Sequence, residues 1–458
     1  MIKKLVILIL IASCLGFLAA NAGLSSRQAL AISIFSMSIL GSLFFWDFRL
    51  SFVFLGTSIL LATGTIDLEH LVRFASLEVI LFLVGMMILV ALLKDEGFFV
   101  WLTRALLQIK NITAAKFVII LAVVSAISSA MVDEVTSIIF MVAAILEICK
   151  DFEVDPSPFV IISVLATNIG SAATVLGNPI GILIAVKSGL TFEDFLTRAL
   201  PLAAACLLVT ICVVLFWYRR SIKRLDGHLK NSGKALAGSP LPPMTRNLKI
   251  SLAIFFTTLV FISLHRRLES LWGLSTNTLL LVMPLVASAF VIIWKRSKGR
   301  HYVEKDVEWW TLLFFLLLFA QAGALKFTGV ADVLANNLVR MTTNNVTVLT
   351  GAVLWIATIG SSMLDNVVLV STLIPVIQGF KGLGISTGPL WWALLFGGCL
   401  GGNITLIGST ANIVAIGIME KEKNIKMTFL RWFGIGLTVG IITASIAWLA
   451  LVTLPIYR

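Results

Sequence analysis

The chain has 458 residues, of which 59% are hydrophobic and only 13% charged, with a mean hydropathy of +1.03. A soluble domain carries about 45–50% apolar and about 25% charged residues, so a soluble enzyme, a disordered chain and a collagen-like fibre are excluded and a polytopic membrane protein remains. The formal net charge of +12 does not call for a nucleic-acid partner, because basic residues crowd the cytoplasmic loops of membrane proteins.

An apolar helix needs about 20 residues, within a range of about 17–25, to cross a bilayer. In chain order, spans are predicted near 5–21, 29–45, 50–65, 77–93, 158–186, 198–218, 250–264, 278–294, 310–325, 389–417 and 432–454. Lys3-Lys4 before the first span and Ala19-Ala20-Asn21-Ala22 after it resemble a signal peptide, and Ile11-Ala12-Ser13-Cys14 resembles a lipobox. The segment 1–28 is nevertheless read as an uncleaved first helix. The stretches 158–186 and 389–417 are too long for one span and are interrupted by Gly, Asn and Pro. Two further apolar regions, 117–149 and 346–377, carry acidic residues at their middles, which suggests re-entrant hairpins with polar tips. Polar backbone at membrane depth is tolerated only inside protein or beside a wet cavity.

Threading the chain with the N-terminus inside puts 1–4, 46–49, 94–116, 150–157, 219–249, 295–309 and 418–431 in the cytoplasm. Those segments hold 25 of the 35 Lys and Arg, which supports the orientation and leaves the C-terminus outside. The segment 219–249, with Gly238, Ser239, Pro240, Pro242 and Pro243, reads as a basic linker between halves 29–218 and 250–458. The five cysteines (Cys14, Cys149, Cys206, Cys212, Cys399) are scattered and form no Cys-x-x-Cys pair, so no disulfide framework or zinc site is indicated. The four histidines (His70, His228, His265, His301) fall in predicted loops, which argues against a histidine proton relay. No Gly-x-x-x-x-Gly-Lys loop is present.

The halves repeat. A shift of 232 residues superposes Lys94 on Lys326 and Gly97 on Gly329, and it places Ser129, Met131, Asp133 and Val135 on Ser361, Met363, Asp365 and Val367. A shift of 231 then aligns Gly170, Thr174 and Gly177 with Gly401, Thr405 and Gly408. The first half enters the membrane from outside and the second from inside, so the repeat is inverted. Inverted repeats with broken helices characterise secondary transporters, whose substrate sits near the midplane at the repeat interface. The expected fold is an all-α polytopic membrane protein of about 11 transmembrane helices plus two re-entrant hairpins.

Two constellations carry the chemistry. Asp133 and Glu134 lie at the first hairpin tip, beside Thr136, and Asp365 and Asn366 at the second. A carboxylate at bilayer depth costs roughly 2.5–3.5 kcal/mol on insertion scales. Helix capping offers a purely structural explanation, but it does not account for three acids at symmetric positions without a nearby base. The second constellation is Asn168, Gly170, Thr174, Gly177 and Asn178 before Pro179, matched by Asn403, Thr405, Gly408 and Asn412. Glycine lets a backbone unwind and approach a ligand, proline breaks the helical ladder, and the freed carbonyls and amides can hold an ion or small oxyanion. The alternative is a plain kink or close helix contact through small residues.

An acidic hairpin followed by a Gly/Asn/Thr break, twice over, resembles the ion transporter superfamily of arsenite permeases, NhaD-type sodium/proton antiporters, the pigment-cell P protein and the divalent-anion/sodium symporters. The symporters carry neutral Ser-Asn-Thr at the tips. Leu364-Asp365-Asn366-Val367 is closer to the P-protein and NhaD-like branches, from which Glu134 departs, since Asn is usual there. The resemblance implies a homodimer with a scaffold and an elevator-like transport domain, and the expected location is a prokaryotic inner membrane. It implies no cofactor, only a coupling ion, H+ or Na+.

With three carboxylates and no evident Lys or Arg at the site, a citrate-like trianion would be repelled. Like charges about 4 Å apart cost about 4 kcal/mol at an effective dielectric near 20. A cation, or neutral arsenous acid, fits better, and Cys399 near Asn403 suits a thiophilic metalloid or is a small core residue. The leading expectation is H+-coupled antiport of a small inorganic ion by an arsenite-type efflux permease. The alternatives are an NhaD-type Na+/H+ antiporter, a citrate or dicarboxylate permease, a channel, and an intramembrane aspartyl protease using Asp133 and Asp365 as a pair.

Overall fold

The computed structural model describes residues 2–107, 113–231, 243–342, 345–423, 425 and 427–457, and every regular element among them is helical. The first half comprises α1 (Ile2–Asn21), α2 (Ser26–Phe44), α3 (Arg49–Ala62), α4 (Leu68–Phe74), α5 (Leu77–Asp95) and α6 (Phe98–Leu107). The hairpin α7 (Ala114–Met131) and α8 (Glu134–Asp151) follows, then α9 (Ser157–Ser171), α10 (Pro179–Ser188) and α11 (Phe192–Trp217). After α12 (Arg219–Asn231) the second half contains α13 (Arg246–Ser263), α14 (His265–Trp272), α15 (Thr278–Lys295), α16 (Trp309–Phe327) and α17 (Val330–Met341). It ends with the hairpin α18 (Val346–Met363) and α19 (Asn366–Gly382), then α20 (Gly388–Gly401), α21 (Thr410–Lys423) and α22 (Phe429–Thr453). Among the described residues, ten helices are long and apolar enough to cross a membrane.

Local chemistry sets the helix ends. Ser25 and Gln28 form a reciprocal capping box at the start of α2, which satisfies two otherwise orphaned N–H groups. The two overlong apolar stretches are each two helices, α9 with α10 and α20 with α21, separated by non-helical segments at 172–178 and 402–409. Asn178 caps α10 by accepting from Gly181 N at 2.9 Å, with Pro179 in the first turn, where its missing N–H costs nothing.

The halves run antiparallel. Lys94, at the end of α5, pairs with Asp306, just before α16, at 3.1 Å, so the C-terminus of α5 meets the N-terminus of its repeat mate. The hairpin tips also meet head to head, since Asn366 donates to Glu134 across exactly the repeat offset of 232 residues. Helices α3, α5, α13 and α15 pack mainly on one another and on α2 and α16, while α2 also packs on α1, and α16 on α4 and on the hairpin arm α19; the first arms of the hairpins, α7 and α18, pack on the broken helices α9 and α20.

Three expectations change. The span predicted at 50–65 is the 14-residue α3, about 21 Å long, because the chain turns at Thr63-Gly64, where Gly64 adopts φ +63°. Its first residue, Arg49, is buried rather than in a loop. The linker expected over 219–249 begins as the helix α12, which packs on α7 with Ile222 and Leu225 buried and with Asp226 accepting from Ala114 N at 3.2 Å. Residues 232–242 of that linker, with Gly238, Ser239, Pro240 and Pro242, lie outside the described residues. All four histidines, His70, His228, His265 and His301, are helical rather than in loops, and His265 is buried with Nδ1 2.8 Å from the Ile262 carbonyl.

Candidate functional site

Four helix N-termini, those of α8, α10, α19 and α21, converge where the hairpin tips meet the two breaks. Helix N-termini present unpaired N–H groups and partial positive charge, so acids there are partly compensated. Asp133 caps α8, accepting from Thr136 N at 2.7 Å. Asp365 caps α19, accepting from Val367 N at 3.0 Å, and takes a second bond from the Thr410 hydroxyl at 2.6 Å. The capping explanation therefore holds for both aspartates. They share no hydrogen bond, so the aspartyl-protease dyad is not formed.

Glu134 is different. It is 3% exposed, and Oε1 accepts weakly from Asn366 Nδ2 at 3.3 Å and from Ser409 Oγ at 3.4 Å. Oε2 has no hydrogen-bond partner among the described residues. Three further buried oxygens nearby in the fold lack partners: Ser129 Oγ on α7, and Thr167 Oγ1 and Asn168 Oδ1 on α9. A buried polar atom without a partner is rare and points to an unseen ligand, ion or proton.

The remaining predicted residues divide by role. Asn168 donates to Asn403 Oδ1 and Asn412 Oδ1, both at 2.9 Å, and Asn412 donates to Gly402 O and Thr405 O, so an amide cluster ties the two breaks together. Thr174 and Thr405 each donate to the last turn of the neighbouring hairpin arm, at Ala130 O and Ser362 O, which are again repeat mates. Gly170, Gly177 and Gly408 give close backbone contacts. A Cβ on Gly170 would lie 2.2 Å from Ala126 O and one on Gly177 2.3 Å from Ser171 O, while on Gly408 it would lie 2.8 Å from Gly402 O. Cys399 is fully buried and receives the Asn178 amide at 3.1 Å.

Two cavities flank this centre. The first, about 220 Å³, is lined by Asp133, Glu134, Thr136 and Asn178 together with Glu308 and Thr311 of the opposing unit. The second, about 280 Å³, exposes Asp365 opposite Arg49. The sequence reading missed Arg49, Glu308, Thr311, Ser409 and Thr410. Arg49 is the only Lys or Arg between Arg27 and Arg73, a signal that could have flagged it, but only tertiary packing brings it to Asp365.

A bundle of apolar helices with two facing hairpins, two broken helices and buried polar groups at their junction defines an integral membrane transporter. The chain belongs to the citrate transporter family (CitMHS), which it matches over residues 42–397. An uncharacterized transporter of Mycobacterium bovis is 30% identical over 75% of this chain and 78% of its own length. The human P protein is 26% identical over 83% of this chain and 54% of its own length. The crystal structure of the YdaH transporter of Alcanivorax borkumensis shares the fold at a TM-score of 0.56 and 14% identity, covering 85% of this chain and 88% of that one.

Proposed function

We propose that the chain is a proton-coupled secondary active transporter in which Glu134 takes up and releases the coupling proton. One observation carries this reading: a carboxylate 3% exposed, surrounded by the neutral side chains of Asn366, Ser409 and Ser171 with no base bonded to it among the described residues, lies at the junction of the two repeats. A buried carboxylate with two further acids close by and no base bonded to it must be neutralised by a proton or a cation. The partnerless oxygens of Ser129, Thr167 and Asn168 support a small cation, Na+ for example, as the alternative coupling ion.

The acid-rich first cavity favours a small inorganic ion as substrate, exchanged for protons as in arsenite-type efflux or Na+/H+ antiport. A carboxylate permease is the second reading, supported by the description of the family and by Arg49 in the second cavity. The division into a hairpin-bearing unit and an opposing helical unit supports an elevator movement, within a homodimer in a prokaryotic inner membrane. The distribution of bases supports a cytoplasmic N-terminus.

Proteoliposomes with a trapped pH dye test the reading when sodium, lithium, arsenite or citrate is added. Proton movement in response to one of them should vanish in Glu134→Gln. An undiminished response in that variant sinks the assignment, and the solute that responds identifies the substrate.

A further inference from the structure

We propose that Arg49 is an anion anchor, and that the second cavity takes a small carboxylate whose two oxygens sit on the Arg49 guanidinium. This deepens the carboxylate reading above and rests on it.

Arg49 is 7% exposed. Its guanidinium is held over the Trp46 ring at 4.3 Å and the Phe314 ring at 5.0 Å, distances at which cation–π attraction operates. A guanidinium has five N–H donors, yet among the described residues only one hydrogen bond is made, to Thr311 Oγ1 at 3.1 Å. Asp365 and Glu308 are within electrostatic reach, but neither comes within the 4.0 Å of an ion pair. Both Asp365 oxygens are already engaged, by Val367 N and by Thr410. Aromatic rings thus fix the orientation of a buried cation whose donors are left largely unused.

A buried charge without a close counter-ion is costly, and a rigid planar fork with free donors matches a carboxylate in bidentate geometry. The rest of the lining suits a short carbon skeleton, with Ile39, Leu43, Leu364 and Val368 around the polar pair. At about 280 Å³ the cavity comes close to the ~300 Å³ lower end of small-molecule sites. Arg49, Trp46 and Phe314 belong to one unit, and Leu364, Asp365 and Val368 to the second hairpin, so a bound anion would bridge the two units.

The test is thermal unfolding of the purified full chain in detergent, at constant ionic strength, with citrate, succinate, phosphate or chloride. A carboxylate should raise Tm in the native chain. Arg49→Gln should lose that rise, and Arg49→Lys, which keeps the charge but not the fork, should need at least ~10-fold more ligand, about 1.4 kcal/mol. Trp46→Leu, which removes the stacking ring and keeps the base, should weaken binding likewise. A monodisperse elution profile and a ligand-free Tm establish that each variant is folded. A carboxylate response that survives in folded Arg49→Gln overturns the proposal. So does the absence of a response to either carboxylate, or a response to phosphate alone. Proton movement is not read here, so an Arg49-dependent response in a chain that moves no protons overturns the coupling assignment and leaves the anchor standing.

Discussion

Glu134 and Asn366 occupy the same position in two copies of one substructure and touch each other there, at 3.3 Å. If the repeat symmetry governs their chemistry, exchanging them should conserve function better than removing either. Glu134→Asn alone should abolish proton coupling, whereas Glu134→Asn combined with Asn366→Glu should recover a measurable fraction in the dye assay. A double variant as silent as the single one would show that the flanking groups, Ser409 above all, set the asymmetry. The aspartates were visible in the sequence but their division of labour was not. Whether an acid caps its own helix or faces a partner across the molecule depends on neighbours far away in the chain.

Close packing dominates at the scale of the element. A Cβ on Gly401 would lie 2.3 Å from Thr358 O, as one on Gly170 would lie 2.2 Å from Ala126 O, so each broken helix is pressed backbone to backbone against a hairpin arm. Gly401→Ala or Gly170→Ala should therefore destabilise by about 1–3 kcal/mol through overpacking, read as a lower Tm in detergent. An unchanged Tm would mean that the hairpin arm yields freely. A second link joins the loop after α8 to the start of α22, where Arg431 bonds Asp155. Burial works against the Asp155 carboxylate, but the Ser157 hydroxyl and N–H and the Arg431 guanidinium outweigh it and hold the carboxyl below its ordinary value. A lowered folded value stabilises above the unfolded value of about 3.9 and is lost as pH falls through the folded one. With both side chains partly exposed, Arg431→Ala should cost about 0–1 kcal/mol near neutral pH. The gap from the native chain should narrow as pH falls below about 3.9. A gap that widens in acid would contradict the assignment.

Across the whole molecule, relative movement of the two units is the testable consequence. Ala322 on α16 and Ser371 on α19 line a third cavity, about 510 Å³, between them. In a chain whose five native cysteines are replaced, Ala322→Cys with Ser371→Cys, bridged by a short bis-methanethiosulfonate, should stop transport, and reductant should restore it. Full transport with the bridge in place would rule out sliding along this face. Some of this architecture was legible in the chain alone. Membrane class, hairpins, broken helices and the inverted repeat follow from local hydropathy and from rare polar residues keeping one offset, because burying or breaking an apolar helix leaves its mark within a few turns of sequence. The placement of Arg49 opposite Asp365, the meeting of Glu134 with Asn366, and the packing role of Gly170 and Gly401 were decided only by the tertiary structure. Each joins residues from elements distant in sequence, and local pattern carries no information about which faces those elements will present to one another.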